Sequence, residues 1–417
     1  MLKNKYYIVL SILLICWFPS KSQSLSLKEV LVQIEMNNPQ LKMFDEEIKS
    51  MDALALGAYS WMNPQVSAGT FMTPYNPTMI FPSKKSDGMG SYMVGISQMF
   101  PNKKQQGAQF DYMNAMSSVE KERKNYTLNQ LQSVGKSNYY LRQVLKNKIK
   151  IAEENLEIIG YMIKSMEIRY QFSMDRLPDY YKAIAQKEEL ESMLVMLRNE
   201  EDQKRIILNT LMNRGKDLIF EIDSTYAFKN FELLILDENV LLENRSDLKA
   251  LDKSKVLNDL KIKVEKTKYL PEFGFKYDRM ISYGRSPWLF NLMGMMTIPM
   301  PWSTKMNAAN IKSLKIKNEA YDWQKKMIVN ETQGMLHGMN RELVNLTKQY
   351  KIANNSIIPA LKKNYETALL SWQNNSGNLF EVLEAWEAMN MAQIDALDKL
   401  QNILVTQVEI EKQLEIK

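Results

Sequence analysis

Hydrophobic residues recur at spacings of three and four along most of the chain, which is the period of an α-helix packed along one side. One heptad seam comprises Ala152, Leu156, Ile159, Ile163, Met166 and Tyr170. About 70 helical residues after Pro101 would extend roughly 100 Å, which is typical of a coiled coil and not of an ordinary globular domain. The second half keeps the same phase, and Pro359 predicts an interruption of its helix. Two packed all-helical domains are the alternative.

The period changes to two in both halves, which predicts a pair of strands in each. Apolar or aromatic residues alternate with small, polar or methionine residues, Gln98 being the exception. We predict strands at about 64–73, 89–100, 270–281 and 290–300. About ten residues is enough to cross a bilayer at a tilt. A soluble sheet with one solvated face also produces this alternation.

The same order of elements occurs twice: helix, two strands, long helix, turn, long helix. Tyr170, Leu177 and Ala183 match Trp372, Leu379 and Ala385 at a constant spacing of about 200 residues. We therefore divide the chain into a first repeat at 23–214, an inter-repeat segment at 215–240 and a second repeat at 241–417. The helical hairpins would turn at about 170–178 and 372–379.

The N-terminus has the layout of a secretory signal peptide, with Lys3 and Lys5 before an apolar run and small residues after it. Cleavage after Ser22 would remove residues 1–22 and lower the net charge from +6 by three, so no nucleic-acid partner is expected. The single cysteine, Cys16, lies in the apolar run after Ile15, where a lipoprotein signal prefers a small residue. Acylation of Cys16 stays open.

Composition argues against catalysis. The 417 residues include one histidine and one cysteine, and no G-x-S-x-G, P-loop or H-E-x-x-H pattern occurs. We predict that the chain is not an enzyme and needs no cofactor. The mean hydropathy of −0.35 excludes a polytopic helical membrane protein. Four strands cannot close a barrel, so membrane strands would require at least two chains to share one.

The ordered motifs resemble the TolC family of bacterial outer-membrane efflux channels. They read NNPQL, MNP, QMFP and YQFSMDRLPDYYKA in the first repeat, and NRSDL, YLP, IPMP and WQNNSGNLFEVLEA in the second. The resemblance implies a mainly α fold with a β membrane part, in which a duplicated helix–strand–strand–helix–helix repeat forms a long α-helical coiled-coil barrel. Each chain would add four strands to a shared trimeric β-barrel, and residues 215–240 would form a belt around the tunnel.

The resemblance also implies partners and a location. A homotrimer would lie in outer-membrane lipid with a long periplasmic extension, and would dock on a periplasmic adaptor (membrane fusion protein) and an inner-membrane pump. It would be a passive duct of a tripartite efflux or type I secretion system for small molecules or metal ions. The implied docking tips are Phe172, Ser173 and Met174, and Asn374, Asn375 and Ser376. Neither triplet keeps the family's central glycine. A periplasmic coiled-coil scaffold or adaptor that does not span the membrane is the alternative.

Two further sites are candidates. Glu381 and Glu384 are three residues apart, so they share one helix face; the resemblance places them at the pore entrance, and a solvated helix face is the alternative. Met93, Met99, Met293 and Met295 fall on the predicted lumen side of the strands. Thioethers suit Cu(I) or Ag(I), although methionine also serves as a flexible packing residue.

Overall fold

The computed structural model describes residues 24–76, 90–172, 176–223, 225–231, 238–283 and 287–416. The predicted signal peptide with Cys16 lies outside these residues. Ser173 and Met174 of the first predicted docking tip also lie outside them.

The first repeat begins with a short strand and two helices before its strand pair and helical hairpin. Ser26 caps the first helix and exchanges hydrogen bonds with Glu29, as a capping box. The elements are β1 (Ser24–Leu25), α1 (Leu27–Asn37), α2 (Pro39–Leu56), β2 (Gln65–Phe71), β3 (Ser91–Phe100), α3 (Lys103–Gln171) and α4 (Leu177–Leu211). Helix α3 is unbroken over 69 residues, as the sequence pattern predicts.

The second repeat has the same order of elements. They are β4 (Glu221–Ile222) between the repeats, then α5 (Glu238–Asn244), α6 (Ser246–Thr267), β5 (Glu272–Ser282), β6 (Leu289–Thr297), α7 (Lys305–Ile352), α8 (Ile358–Gln373) and α9 (Leu379–Leu414). A π-helical turn, Ala353–Ile357, separates α7 from α8. It immediately precedes Pro359, which has no N–H to continue the helical ladder. The interruption predicted from Pro359 is therefore confirmed.

The strand pairs of the two repeats join into one antiparallel sheet in the order β2-β3-β5-β6. The junction is the β3–β5 pair, in which Ser91 lies opposite Ser282 and Phe100 opposite Phe273. The outer strands β2 and β6 each have one edge that no described strand of this chain covers. The mainly helical fold with a four-stranded part confirms the predicted fold class.

Residue contacts divide the chain into two compact units that do not coincide with the repeats. One unit contains the described residues of 24–42, 126–245 and 329–416; the other contains those of 43–125 and 246–328, including the four-stranded sheet. Each unit therefore takes segments from both repeats.

The main core of the first unit lies between the helical hairpins. It buries members of both predicted seams, together with residues of α4 and α9: Ala152, Ile159, Met166, Ala183, Leu190, Tyr365, Trp372, Val382 and Trp386. Tyr170 is the exception, since 48% of its surface is exposed. The seam prediction is thus wrong at its last residue, Tyr170. Helix α3 ends at the next residue, Gln171.

Candidate channel regions

The strand register separates the sheet into two faces. Directly opposed residues share a face, and the pairs Ile96–Tyr277 and Tyr277–Leu292 define what we call the apolar face. It carries Val66, Ala68, Thr70, Tyr92, Val94, Ile96, Phe100, Phe273, Phe275, Tyr277, Ile281, Phe290, Leu292 and Met296, together with Gln98, Gly294 and one charged residue, Arg279. The opposite side, here called the polar face, carries Ser67, Gly95, Ser97, Glu272, Gly274, Lys276, Asp278, Asn291 and Thr297 together with the candidate methionines, Met280, Phe71 and Leu289.

In the part of the chain that the structure describes, the middle of the apolar face is largely exposed. Val66 is 72% exposed, Phe290 71% and Leu292 65%. Large contiguous apolar surfaces of this kind mark a membrane or partner contact. The strands are 7 to 11 residues long, close to the length of transmembrane β-strands.

Aromatic side chains lie at both ends of the sheet. At one end Trp61 packs edge-to-face on Phe100, with ring centroids 5.4 Å apart. At the other end Tyr92 packs on Tyr283 at 4.7 Å, and the Arg279 guanidinium stacks over the Trp288 ring at 5.0 Å. Aromatic girdles at both interfaces are typical of membrane barrels.

The exception to the strand alternation has a local cause. Gln98 lies on the apolar face, but its Nε2 donates hydrogen bonds of 2.8 Å to the backbone oxygens of Met62 and Met99. Its polar atoms are thereby satisfied next to the end of β3, so the exception does not alter the strand phase.

A buried acid lies at the centre of the polar face. Asp278 is only 2% exposed, and its Oδ1 is 3.2 Å from the Lys276 Nζ, although the two atoms are not aligned as a hydrogen bond. A Cβ at Gly95, opposite Asp278, would be 2.1 Å from the same Oδ1. Gly95 therefore makes room for the carboxylate, and Lys276 compensates its charge.

The second hairpin tip is a compact turn. Asn375 has a φ of +56°, the left-handed conformation that asparagine tolerates better than most residues. Ser376 and Gly377 both donate backbone hydrogen bonds to the Ser371 oxygen, at 2.9 and 3.1 Å. Asn374, Asn375 and Ser376 are all exposed, so the predicted docking triplet is presented to solvent.

The first tip is described only at its two sides. Phe172 is 66% exposed beside the end of α3. Beyond the turn, Arg176 pairs with Asp179 at 3.2 Å. The Tyr180 hydroxyl donates a 3.0 Å hydrogen bond to Glu167 across the hairpin. This bond raises the pKa of Tyr180, because it is lost when the phenol ionises.

Several contacts hold the two hairpins of one chain together. Arg169 donates a 2.7 Å hydrogen bond to the Asn375 side chain and stacks over the buried Trp372 ring at 4.8 Å. Farther along, Gln186 donates a 2.8 Å hydrogen bond to Glu387. The described end of α3 therefore lies next to the second tip.

The two acids predicted at the pore entrance have different environments. Glu381 and Asn378 cap α9 reciprocally: the Glu381 N–H donates to the Asn378 side chain at 2.9 Å, and the Asn378 amide donates back to the Glu381 carboxylate at 3.1 Å. Glu384 is exposed. Both line a 410 Å³ groove between α8 and α9 with Asn364, Thr367, Ala368, Ser371, Ala385 and Ala388.

Other kinds of site are not found among the described residues. In those segments no helix combines the length and apolarity needed to span a bilayer. Likewise, no group of three or more histidine, cysteine, aspartate or glutamate side chains in the described ranges could hold a metal ion.

The fold is similar to that of solved outer-membrane channel proteins. The solved structure of CusC, described in terms of folding and transmembrane channel formation, superimposes with a TM-score of 0.72 at 14% identity over 93% of this chain and 91% of CusC. The Campylobacter jejuni CmeC outer membrane channel gives 0.70 at 14% identity over 93% and 85%. The open state of the Neisseria gonorrhoeae MtrE outer membrane channel gives 0.70 at 14% identity over 93% and 88%.

No family model matches the sequence, and no curated protein does. The structural likeness confirms the fold implied by the sequence resemblance to the TolC family. The three proteins compared are described as channels, which fits the prediction that this chain is not an enzyme.

Sequence reasoning found both strand faces but missed individual contacts. It did not identify Met280, although the alternation from Lys276 and Asp278 places Met280 on the same face; only its position opposite Met93 depends on the pairing of β3 with β5. It also missed that Glu381 caps a helix, although Asn378 three residues earlier is a recognisable capping signal.

Proposed function

We propose that this chain is the subunit of a homotrimeric outer-membrane duct that carries solutes from the periplasm to the outside. The observation that carries the proposal is the four-stranded sheet, whose outer edges no described strand covers and whose apolar face is largely exposed among the described residues. In lipid, unpaired backbone groups are costly, so such a sheet must be closed by strands of other copies. Three copies would place the polar face around a water-filled lumen.

The largely exposed apolar face argues against the alternative, a periplasmic scaffold that does not enter the membrane. A protein surrounded by water would be expected to cover or polarise these side chains. The rim of aromatic residues at both ends has an evident role at membrane interfaces and none in a soluble scaffold.

We expect the purified full-length protein to be a trimer in detergent and to conduct ions in a planar bilayer. Native mass measurement would count the chains, and single-channel recording would detect the pore. A monomer that stays soluble without detergent would contradict the proposal and favour the scaffold.

The hairpin tips are the proposed docking surface for a periplasmic adaptor, which would couple the duct to an inner-membrane pump. Asn374→Arg adds a bulky charge to an exposed tip residue whose φ of −85° and ψ of 10° arginine can also adopt. We expect export to fall at least about tenfold, the effect of losing about 1.4 kcal/mol of docking free energy, while trimers still form. Export by whole cells and adaptor co-purification would be measured.

Asn330→Arg is the matched control, since Asn330 is also exposed but lies on α7, well away from the tip in sequence. Equal export by both variants would place the adaptor contact elsewhere.

Glu381 and Glu384 are proposed to line the pore entrance, where three chains would supply six carboxylates. Such a ring attracts cations and holds divalent ions. We expect Glu381→Gln with Glu384→Gln to weaken cation selectivity and block by divalent cations added on the periplasmic side. Glutamine can keep the capping contact to Asn378, so the change removes charge without removing the cap. Single-channel recording provides the measurement.

The control is Glu342→Gln with Glu366→Gln, which neutralises two other exposed glutamates of the same hairpin. If the two double variants behaved alike, the carboxylates of Glu381 and Glu384 would not be at the entrance.

A further inference from the structure

Methionine is segregated to one side of the described strands. Five of their six methionines lie on the polar face, and Met296 alone lies on the apolar face. The five are Met93, Met99, Met280, Met293 and Met295. The aliphatic residues show the opposite distribution: of Val66, Val94, Ile96, Ile281, Leu289 and Leu292, only Leu289 is on the polar face.

This distribution argues against methionine as a mere substitute for leucine. In the proposed channel the apolar face contacts lipid, and a methionine that merely replaced leucine would be expected there with the other aliphatic side chains. The polar face instead carries serine, asparagine and charged side chains. A second property of methionine, its polarisable thioether, explains its presence among them.

The register brings the thioethers together. Met93 lies directly opposite Met280 on the neighbouring strand, where the Cβ atoms of a pair are typically about 5 Å apart. Met99 and Met295 lie opposite Gly274 from its two sides. A Cβ at Gly274 would be 2.4 Å from the Met99 Sδ. The sulfur of Met99 therefore lies over this glycine, on the side toward Met295. Met293 is two residues from Met295 on the same face.

The charges of this face also suit a cation. Its charged residues in the described strands are Glu272, Lys276 and Asp278, one cation and two anions. The Lys276 ammonium is 3.2 Å from the buried Asp278 carboxylate, which compensates its charge. Glu272 lies two residues before Gly274, at the start of β5. Its carboxylate gives the face a net negative charge.

We propose that the polar face binds soft monovalent cations, Cu(I) or Ag(I), through Met99, Met293 and Met295 and through the pair of Met93 and Met280. Thioethers select such ions, whereas hard cations prefer oxygen ligands. Binding is a property of the face itself. The idea that these ions are cargo rests on the proposed channel function, in which this face lines the lumen.

Binding is tested on the full-length protein in detergent, with ¹³C-methyl-labelled methionine and silver nitrate in chloride-free buffer. We expect the methyl signals of the five methionines to shift and saturate at a lower Ag(I) concentration than those of Met196 and Met391, which are exposed on helices. Met99→Leu with Met295→Leu should weaken this binding at least about tenfold, because isolated thioethers lose the benefit of high effective concentration. Leucine conserves the side-chain volume.

The matched control is Met196→Leu with Met391→Leu, which should leave the tight sites unchanged. Shifts of all methionines over one concentration range, or equal effects of the two double variants, would overturn the proposal and show that methionine merely lines the face. Single-channel recording separates this from the channel function. A conducting pore without tight Ag(I) sites overturns the metal site alone, whereas tight sites in a protein that never conducts support the site and contradict the duct.

Discussion

Leu292→Lys should destabilise the membrane-inserted protein by about 2–4 kcal/mol, the cost of a lysine at the lipid face near mid-bilayer. Leu292 is 65% exposed and lies opposite Tyr277 near the middle of β6. Because most of its side chain is exposed in the described structure, we expect the penalty to arise from lipid and not from a lost internal contact. The measurement is the free energy of unfolding by denaturant titration in lipid vesicles, together with the yield of assembled oligomer.

Asn291→Lys is the matched control, since Asn291 is the adjacent residue and lies on the polar face opposite the buried Asp278. We expect it to change stability by less than about 1 kcal/mol, because a lysine there would remain in water and near a carboxylate. If the two variants lost the same stability, or if the order were reversed, the apolar face would not contact lipid.

Trp372→Ala should destabilise the hairpin region by about 3–5 kcal/mol, as large-to-small changes of buried aromatic residues do. Trp372 is 1% exposed, packs in the core between the hairpins and carries the Arg169 guanidinium on its ring. The loss should be local, so amide hydrogen exchange in α8 and the start of α9 should quicken before that of the sheet. Thermal unfolding would report the total effect.

The repeat supplies the control. Tyr170 occupies the equivalent position in the first repeat but is 48% exposed, so Tyr170→Ala should cost less than about 1 kcal/mol. Trp372→Phe, which retains an aromatic ring, should fall between the two. Equal losses for Trp372→Ala and Tyr170→Ala would mean that the two repeats pack alike, contrary to the structure.

The sequence resemblance was enough to predict the fold, while the proposed sites depend on finer features. Docking at the tips and an acid ring at the pore stay predictions, although the structure exposes Asn374, Asn375 and Ser376 and places Glu381 and Glu384 on one groove. The structure also changes how the acid ring should be tested, since Glu381 has a structural role as a helix cap.

The sequence by itself determined the types of element, their order and the two faces of the strands. These features follow from local rules: a helix exposes one side every 3.6 residues, a strand alternates with period two, and Pro359 cannot donate a helical hydrogen bond. The duplication strengthened each assignment, because a second copy repeated the pattern.

Only the tertiary structure decided which distant residues meet. The β3–β5 pairing joins the repeats and places Met93 opposite Met280, and the packing of the hairpins buries Trp372 while leaving its counterpart Tyr170 exposed. The compact units likewise combine both repeats. These outcomes depend on the register and packing of segments far apart in the chain, whose contact free energies are not contained in any local pattern of residues.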